Sequence, residues 1–210
     1  MARGILITIE GLEGAGKSTS IESLSALLDD RDISYVTTRE PGGTDLGEQV
    51  REILLAHTEE PMHAMTELLL MFAARTEHVN KIISPALEAG CWVICDRFTD
   101  SSFAYQGGGR GLDLEDIAKL ENITLAGVRP DYTLILDVPT KEGLARAGSH
   151  RSLDRFETEE NAFFERARQV FLNRSKDSDR YHLIDAARPA AAVQKDTAQW
   201  LLSIVDEMGT

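Results

Sequence analysis

Gly11-Leu12-Glu13-Gly14-Ala15-Gly16-Lys17-Ser18 places glycines, a lysine and a hydroxyl at the spacing G-x-x-x-x-G-K-[ST]. Glycines let the backbone wrap tightly, so successive N–H groups converge on phosphate oxygens, and a helix start adds partial positive charge. In that geometry Lys17 bridges the β- and γ-phosphates of a nucleoside triphosphate and Ser18 reaches a Mg²⁺ ion. The ATP-type site is expected to comprise Gly11, Leu12, Glu13, Gly14, Ala15, Gly16, Lys17, Ser18 and Thr19. A structural turn could carry the same string, but an apolar run before it and a helical pattern after it favour nucleotide. Two more polar points follow apolar runs: Arg39-Glu40-Pro41-Gly42-Gly43-Thr44, and Asp96-Arg97-Phe98. Arginine can clamp a phosphate through two parallel hydrogen bonds, so Arg39 and Arg97 are phosphate candidates, each with a surface ion pair as its plainer explanation. Asp96 stands where a Walker-B acid would support Mg²⁺.

These groups need elements to hold them. Ile5–Ile9, Ser34–Thr38, Cys91–Cys95, Tyr132–Leu136 and a weaker Tyr181–Ile184 are strand-like, and three of them are near-continuous apolar runs, as in parallel strands covered on both faces. Helical apolar spacing fills the intervals: Lys17–Leu28, Met65–Ile83 with an interruption expected near Pro85, Leu114–Leu125, Phe163–Phe171 and Val193–Met208. Strand–helix alternation implies right-handed crossovers and a parallel sheet flanked by helices, a three-layer α/β fold. Its ligand edge is where the strands end, and the motifs sit there.

With 22 Lys+Arg against 35 Asp+Glu in 210 residues, the net charge is −13. Nucleic-acid affinity comes largely from neutralised phosphates, so non-specific nucleic-acid binding is excluded as a role. No apolar run reaches the 18 residues needed to cross a bilayer. Met1-Ala2-Arg3-Gly4 leads straight into the first strand, without the apolar region or cleavage site of a secretory leader. Cys91 and Cys95, four apart in a strand, would stand about 13 Å apart, too far to bridge. Free thiols and a cytoplasmic location are expected, with neither membrane nor nucleic acid as partner.

The P-loop string, Arg39–Thr44, Asp96–Phe98, Ser102-Phe103-Ala104-Tyr105-Gln106-Gly107-Gly108-Gly109-Arg110-Gly111, Arg129-Pro130-Asp131 and Leu153-Asp154-Arg155-Phe156-Glu157 together resemble the bacterial thymidylate kinase family over nearly the whole chain. The resemblance implies a P-loop nucleoside-monophosphate-kinase fold with five parallel strands in the order 2-3-1-4-5, one domain over residues 1–210, a short mobile lid at 146–157, and a homodimer. It implies transfer of phosphate from ATP, with Mg²⁺, to dTMP.

Carried over to this sequence, Arg97 holds the dTMP phosphate with Arg39 and Arg51 nearby. Arg75 reaches a thymine carbonyl, Tyr105 packs on the deoxyribose, Glu13 lies by the 3′-hydroxyl, and Ser102 and Gln106 read the nucleotide. The family's base-stacking Phe position is Met71 here; Phe72 is its neighbour, and either could cover the base. With Gly14 uncharged, the lid must supply the cation for the migrating phosphoryl group. Arg146, Arg151 and Arg155 are the candidates and Arg151 the preferred one, so Lys17, Arg97 and Arg151 form the expected catalytic set. Relatives often have arginines where this chain reads Gly148 and His150. Two other readings stay open: a kinase for another monophosphate or small alcohol, and a regulatory P-loop switch. A guanine-nucleotide switch would need N-K-x-D, and Asn80-Lys81 runs into Ile82-Ile83 instead.

Overall fold

The structure, a computed structural model, describes residues 3–148, 155–156 and 158–208. Five strands, β1 (Leu6–Glu10), β2 (Tyr35–Arg39), β3 (Trp92–Asp96), β4 (Tyr132–Asp137) and β5 (Tyr181–Asp185), pair in parallel throughout in the order β2-β3-β1-β4-β5. Central β1 is buried at every position, as its near-continuous apolar run requires, Thr8 and Glu10 included. Successive side chains alternate between faces: Ile7, Ile9 and Ile94 enter one core cluster with Leu24 and Trp200, whereas Leu6, Val93 and Cys95 enter a second with Val79, Ile83 and Leu87. The sheet is therefore the middle of three layers.

β1, β2 and β3 each start and end one residue later than the apolar runs suggest. Backbone pairing continues beyond the last apolar side chain, with Ile9 and Arg39 both opposite Asp96. Arg39 and Asp96 thus sit on the last rung of the ladder, not in loops.

The helices are α1 (Lys17–Asp29), α2 (Asp45–Leu55), α3 (Ala64–His78), α4 (Ser84–Glu88), α5 (Thr99–Ser102), α6 (Leu114–Thr124), α7 (Thr140–Ala147), α8 (Asn161–Arg174) and α9 (Ala190–Met208). α2 has an N-cap readable after the fact: Thr44 Oγ1 accepts from Gly47 N at 3.0 Å, and Asp45 and Glu48 occupy the first turn. The interruption expected near Pro85 is absent. The chain stays helical through a π turn, Val79–Ile83, into α4. A proline ring presses on the carbonyl four residues back, here Lys81, and the wider π turn lies just where that carbonyl must yield.

A second π segment, Phe103–Gly109, explains the glycine cluster. A Cβ on Gly109 would lie 2.4 Å from the Phe163 ring, and Arg166 donates to the carbonyls of Gly108 and Gly109 at 3.0 and 2.7 Å. The glycines let α8 seat on this turn, and that seating fixes Tyr105 and Gln106.

Candidate active site

A cavity of about 610 Å³ opens where β1, β2 and β3 end. Gly16 caps α1 at φ +91°, a left-handed conformation that glycine takes without strain. Glu13, Gly14, Gly16, Lys17, Ser18 and Thr19 line the cavity, while Gly11, Leu12 and Ala15 are buried behind them. Lys17 Nζ donates to the carbonyls of Gly11 at 3.2 Å and Leu12 at 3.0 Å. Burial, then the positive charge of Arg97, lower its ammonium to about 8.

Arg97 follows β3 at φ +68°, a strained region for a residue with a Cβ. Its position is held from several sides: it donates to Gly11 O at 2.9 Å, Ser101 Oγ at 3.1 Å and Glu13 Oε1 at 2.9 Å, and its guanidinium lies 5.1 Å from the Tyr105 ring centre. The Tyr105 hydroxyl donates to both Glu13 oxygens at 2.9 and 2.8 Å. Glu13 therefore joins the phosphate loop to the strand-end arginine and the tyrosine. Around Tyr105 stand Phe156, Phe163 and Phe171, with ring centres 6.0–6.2 Å away.

Arg39 pairs with Glu48 at 2.8 Å, Arg51 donates to Pro41 O at 2.9 Å, and both line the cavity. Arg75, 2% exposed, donates to Glu40 Oε2 at 2.5 Å, Ser102 Oγ at 3.0 Å and Phe98 O at 3.0 Å. Ser102, Tyr105 and Gln106 line the same wall. Met71 also lines it; Phe72 is instead packed with Leu68, Phe103 and Ile117, its ring 4.7 Å beneath the Arg75 guanidinium. Arg146 lines the cavity and donates to Ala186 O at 2.9 Å. Arg155 donates to Leu54 O at 3.0 Å and pairs with Glu67 at 2.8 Å. Arg151 lies outside the described residues, as do 149–154 and 157 of the expected lid.

Several groups here carry no motif. Glu10, fully buried, accepts from Phe98 N at 2.7 Å and Ser101 Oγ at 2.6 Å, and burial followed by the charge of Asp100 pushes its carboxyl up to about 7. His78 Nδ1 meets Glu40 Oε1 at 2.9 Å and its Nε2 meets Thr38 Oγ1 at 2.6 Å, backing the carboxylate that holds Arg75. Glu67 is buried between Gln106, Arg110 and Arg155. Glu67, Met71, Arg75 and His78 share one face of α3 at spacings of four, four and three. That polar stripe inside an apolar helix is the signal that could have exposed Glu67 and His78. Phe156 has no such signal.

Asp96 Oδ1 is buried without a hydrogen-bond partner and belongs to a residue of the cavity wall, as does the exposed Ser18 hydroxyl. A carboxylate oxygen unused by the protein and a P-loop hydroxyl on the wall of one cavity are oxygen donors of the kind that Mg²⁺ takes.

The family model for thymidylate kinase matches residues 9–197. The chain is 54% identical to a thymidylate kinase of Pseudomonas putida over 204 residues, 97% of each chain, and 52% identical to that of Ectopseudomonas mendocina over the same length and coverage. Among solved structures it is similar to the thymidylate kinase of Ehrlichia chaffeensis at 33% identity and a TM-score of 0.74, covering 97% of this chain and 99% of that one.

Proposed function

Because the chain belongs to the thymidylate kinase family, it is a phosphotransferase that converts dTMP to dTDP with ATP, and we propose that the cavity at the strand ends performs this transfer with the residues described above. The observation that carries the reading is the carbonyl of Gly11. It accepts from Lys17 at 3.2 Å and from Arg97 at 2.9 Å, so the cation assigned to the donor phosphates and the cation assigned to the acceptor phosphate meet at one atom. A phosphoryl group passing between them has little distance to cover, and phosphoryl transfer asks mainly for such positioning and charge.

ATP phosphates lie on the backbone N–H groups of Gly11 through Thr19 and at the start of α1. Swinging Lys17 from its two carbonyls onto the β- and γ-phosphates gives its ammonium anionic partners, which favour the charged form. Ser18 and Asp96 hold Mg²⁺, which, when bound, neutralises charge on the phosphate oxygens. Arg97 grips the dTMP phosphate, with Arg39 and Arg51 at its flank. Arg75, fixed by Glu40, donates to a thymine carbonyl, and Met71 on the cavity wall covers the base in preference to Phe72. Tyr105 fills the space at the 2′ carbon, Glu13 accepts from the 3′-hydroxyl, and Ser102 and Gln106 complete the nucleotide wall.

Residues 1–210 act as one domain with 146–157 as its lid. Arg151, flanked by Arg146 and Arg155, enters the closed site to meet the migrating group. The exposed apolar residues Leu46 and Ile53 on α2 and Leu69 on α3 support a homodimer, in which a second copy would cover them. Free Cys91 and Cys95 suit a reducing cytoplasm, and the acidic surface suits neither nucleic acid nor anionic membrane as partner. No helix among the described residues is long and apolar enough to cross a membrane.

The test is ADP release with dTMP, dUMP, UMP, dCMP and AMP, with and without a chelator. dTMP should turn over fastest and the chelator should abolish turnover. A protein that hydrolyses ATP slowly and ignores every monophosphate would instead be a nucleotide-state switch.

A further inference from the structure

Glu67 occupies the first turn of α3, is fully buried, and accepts hydrogen bonds from two residues while a third, cationic one pairs with it. Arg110 donates through Nε to both of its oxygens at 3.2 Å, and Arg155 pairs with Oε2 at 2.8 Å. On the remaining side Gln106 Nε2 donates to Oε1 at 2.8 Å. A carboxylate accepts and never donates, so Gln106 must turn its amide nitrogen toward Glu67. Its carbonyl oxygen takes no hydrogen bond from any described residue, is not among the sealed polar atoms lacking partners, and belongs to a residue of the cavity wall. The cavity is thus shown an acceptor by Gln106 and donors by Arg75.

We propose that Glu67 is a positioning residue that fixes the polarity of the Gln106 amide and thereby selects an N3–H pyrimidine, thymine or uracil, against cytosine. The inference rests on the cavity being the dTMP site. Thymine presents N3–H between two ring carbonyls, so Gln106 Oε1 accepts from N3–H while Arg75 donates to the neighbouring carbonyl. Cytosine presents an amine and a bare N3 along that edge. Its amine would face the arginine and its lone pair the carbonyl oxygen, two mismatches in a buried place. Sites built to hydrogen-bond a group reject the analogue lacking it far more strongly than apolar pockets reject a methylene.

The arginines make the substitution Glu67→Gln informative. They only donate, so the new amide gives them its oxygen and turns its NH₂ toward Gln106. Gln106 must then accept from it and turn its own NH₂ into the cavity. Glu67→Asp keeps an acceptor-only partner. The measurement is the ratio of dissociation constants for dTMP and dCMP by calorimetry, with kcat/KM for both. Glu67→Gln should shrink the preference for dTMP by about 10-fold or more, while Glu67→Asp, even if weaker for both ligands, keeps the parental ratio. If Glu67→Gln weakens both ligands equally with the ratio unchanged, or if Glu67→Asp loses the preference as well, the polarity role is overturned. Should Glu67→Gln fail to fold because two guanidiniums lose their counter-charge, Glu67→Gln in an Arg110→Met background removes one of them and is read by the same ratio. Failure of the parent protein to prefer dTMP over dCMP would overturn the dTMP reading itself, a result distinct from either variant outcome.

Discussion

Replacing Tyr105 with Phe and with Ala separates what its hydroxyl does from what its ring does. The hydroxyl donates to both oxygens of Glu13, and a hydrogen bond to a charged group contributes about 1.5–3 kcal/mol. Glu13 keeps Arg97 as a partner and is partly open to water, which points to the lower end, about 1.5 kcal/mol. In a chain of this length that lowers Tm by about 3–6 °C. Tyr105→Ala also empties the space among Phe156, Phe163 and Phe171, and large-to-small aromatic changes cost about 3–5 kcal/mol. The functional expectation runs differently. If the ring occupies the place a 2′-hydroxyl would need, Tyr105→Phe preserves the preference for deoxyribose and Tyr105→Ala erodes it. kcat/KM for dUMP against UMP isolates that hydroxyl, because both lack the 5-methyl group. The parent should favour dUMP by about 10²-fold, Tyr105→Phe should stay within about 3-fold of that ratio, and Tyr105→Ala should lower it by about 10-fold. Scanning calorimetry on the same samples checks that each variant is folded. A folded Tyr105→Ala that keeps the full ratio, or a Tyr105→Phe that loses it, refutes steric exclusion by the ring.

Lys17→Ala should leave Tm near parental and reduce kcat by about 10²–10³-fold, since the ammonium acts on developing phosphate charge; near-normal turnover in a folded variant would put the site elsewhere. Glu10 titrates near 7 in the folded protein against 4.5 unfolded, so the folded state binds the extra proton between those values. Its contribution is present at low pH and is lost as pH rises through 7, an effect of up to about 3 kcal/mol. Glu10→Gln should flatten the stability profile between pH 5 and 7.5 in urea melts, and an unchanged slope would show that Glu10 is not the titrating group. Arg151→Ala should lower kcat by roughly 10²-fold with little change in ATP or dTMP affinity. Parental kcat in Arg151→Ala, Arg146→Ala and Arg155→Ala alike would mean that the lid supplies no cation.

The sheet was legible because β1, β3 and β4 are buried on both faces and so read as near-continuous apolar runs. β5 shows a weaker run and the half-exposed β2 a polar end, as edge strands do. The P-loop was legible because backbone geometry, not packing, dictates its glycines and lysine. α2 was missed because half of it faces solvent and its apolar stripe is short. The π turns were missed because nothing in a composition pattern marks a shift from four-residue to five-residue hydrogen bonds. Glu40, Glu67, His78 and Glu10 were not legible as a group. Each is an ordinary polar residue until the fold brings it a partner, an arginine for Glu40 and Glu67, a carboxylate for His78, a hydroxyl and a backbone N–H for Glu10, across as many as 91 positions of chain. Met71 and Phe72 differ by about 100° of helix rotation, which one residue of sequence separation cannot resolve; the α3 packing puts Met71 on the cavity wall and Phe72 in the core.

The contrast between a chain of net charge −13 and a cavity lined by Lys17, Arg39, Arg51, Arg75, Arg97 and Arg146 bears on how ligands arrive. Far from the protein a nucleotide meets a repulsive field; only inside the mouth does the sign reverse. The capture radius is therefore set by the cavity and not by the surface, and adsorption of polyphosphates elsewhere is suppressed. Salt screens the distant repulsion over about 8–10 Å at physiological strength before it weakens contacts inside the cavity. Nucleotide association should accordingly quicken as ionic strength rises from very low values, the reverse of the behaviour of a protein that steers its anions with a basic surface.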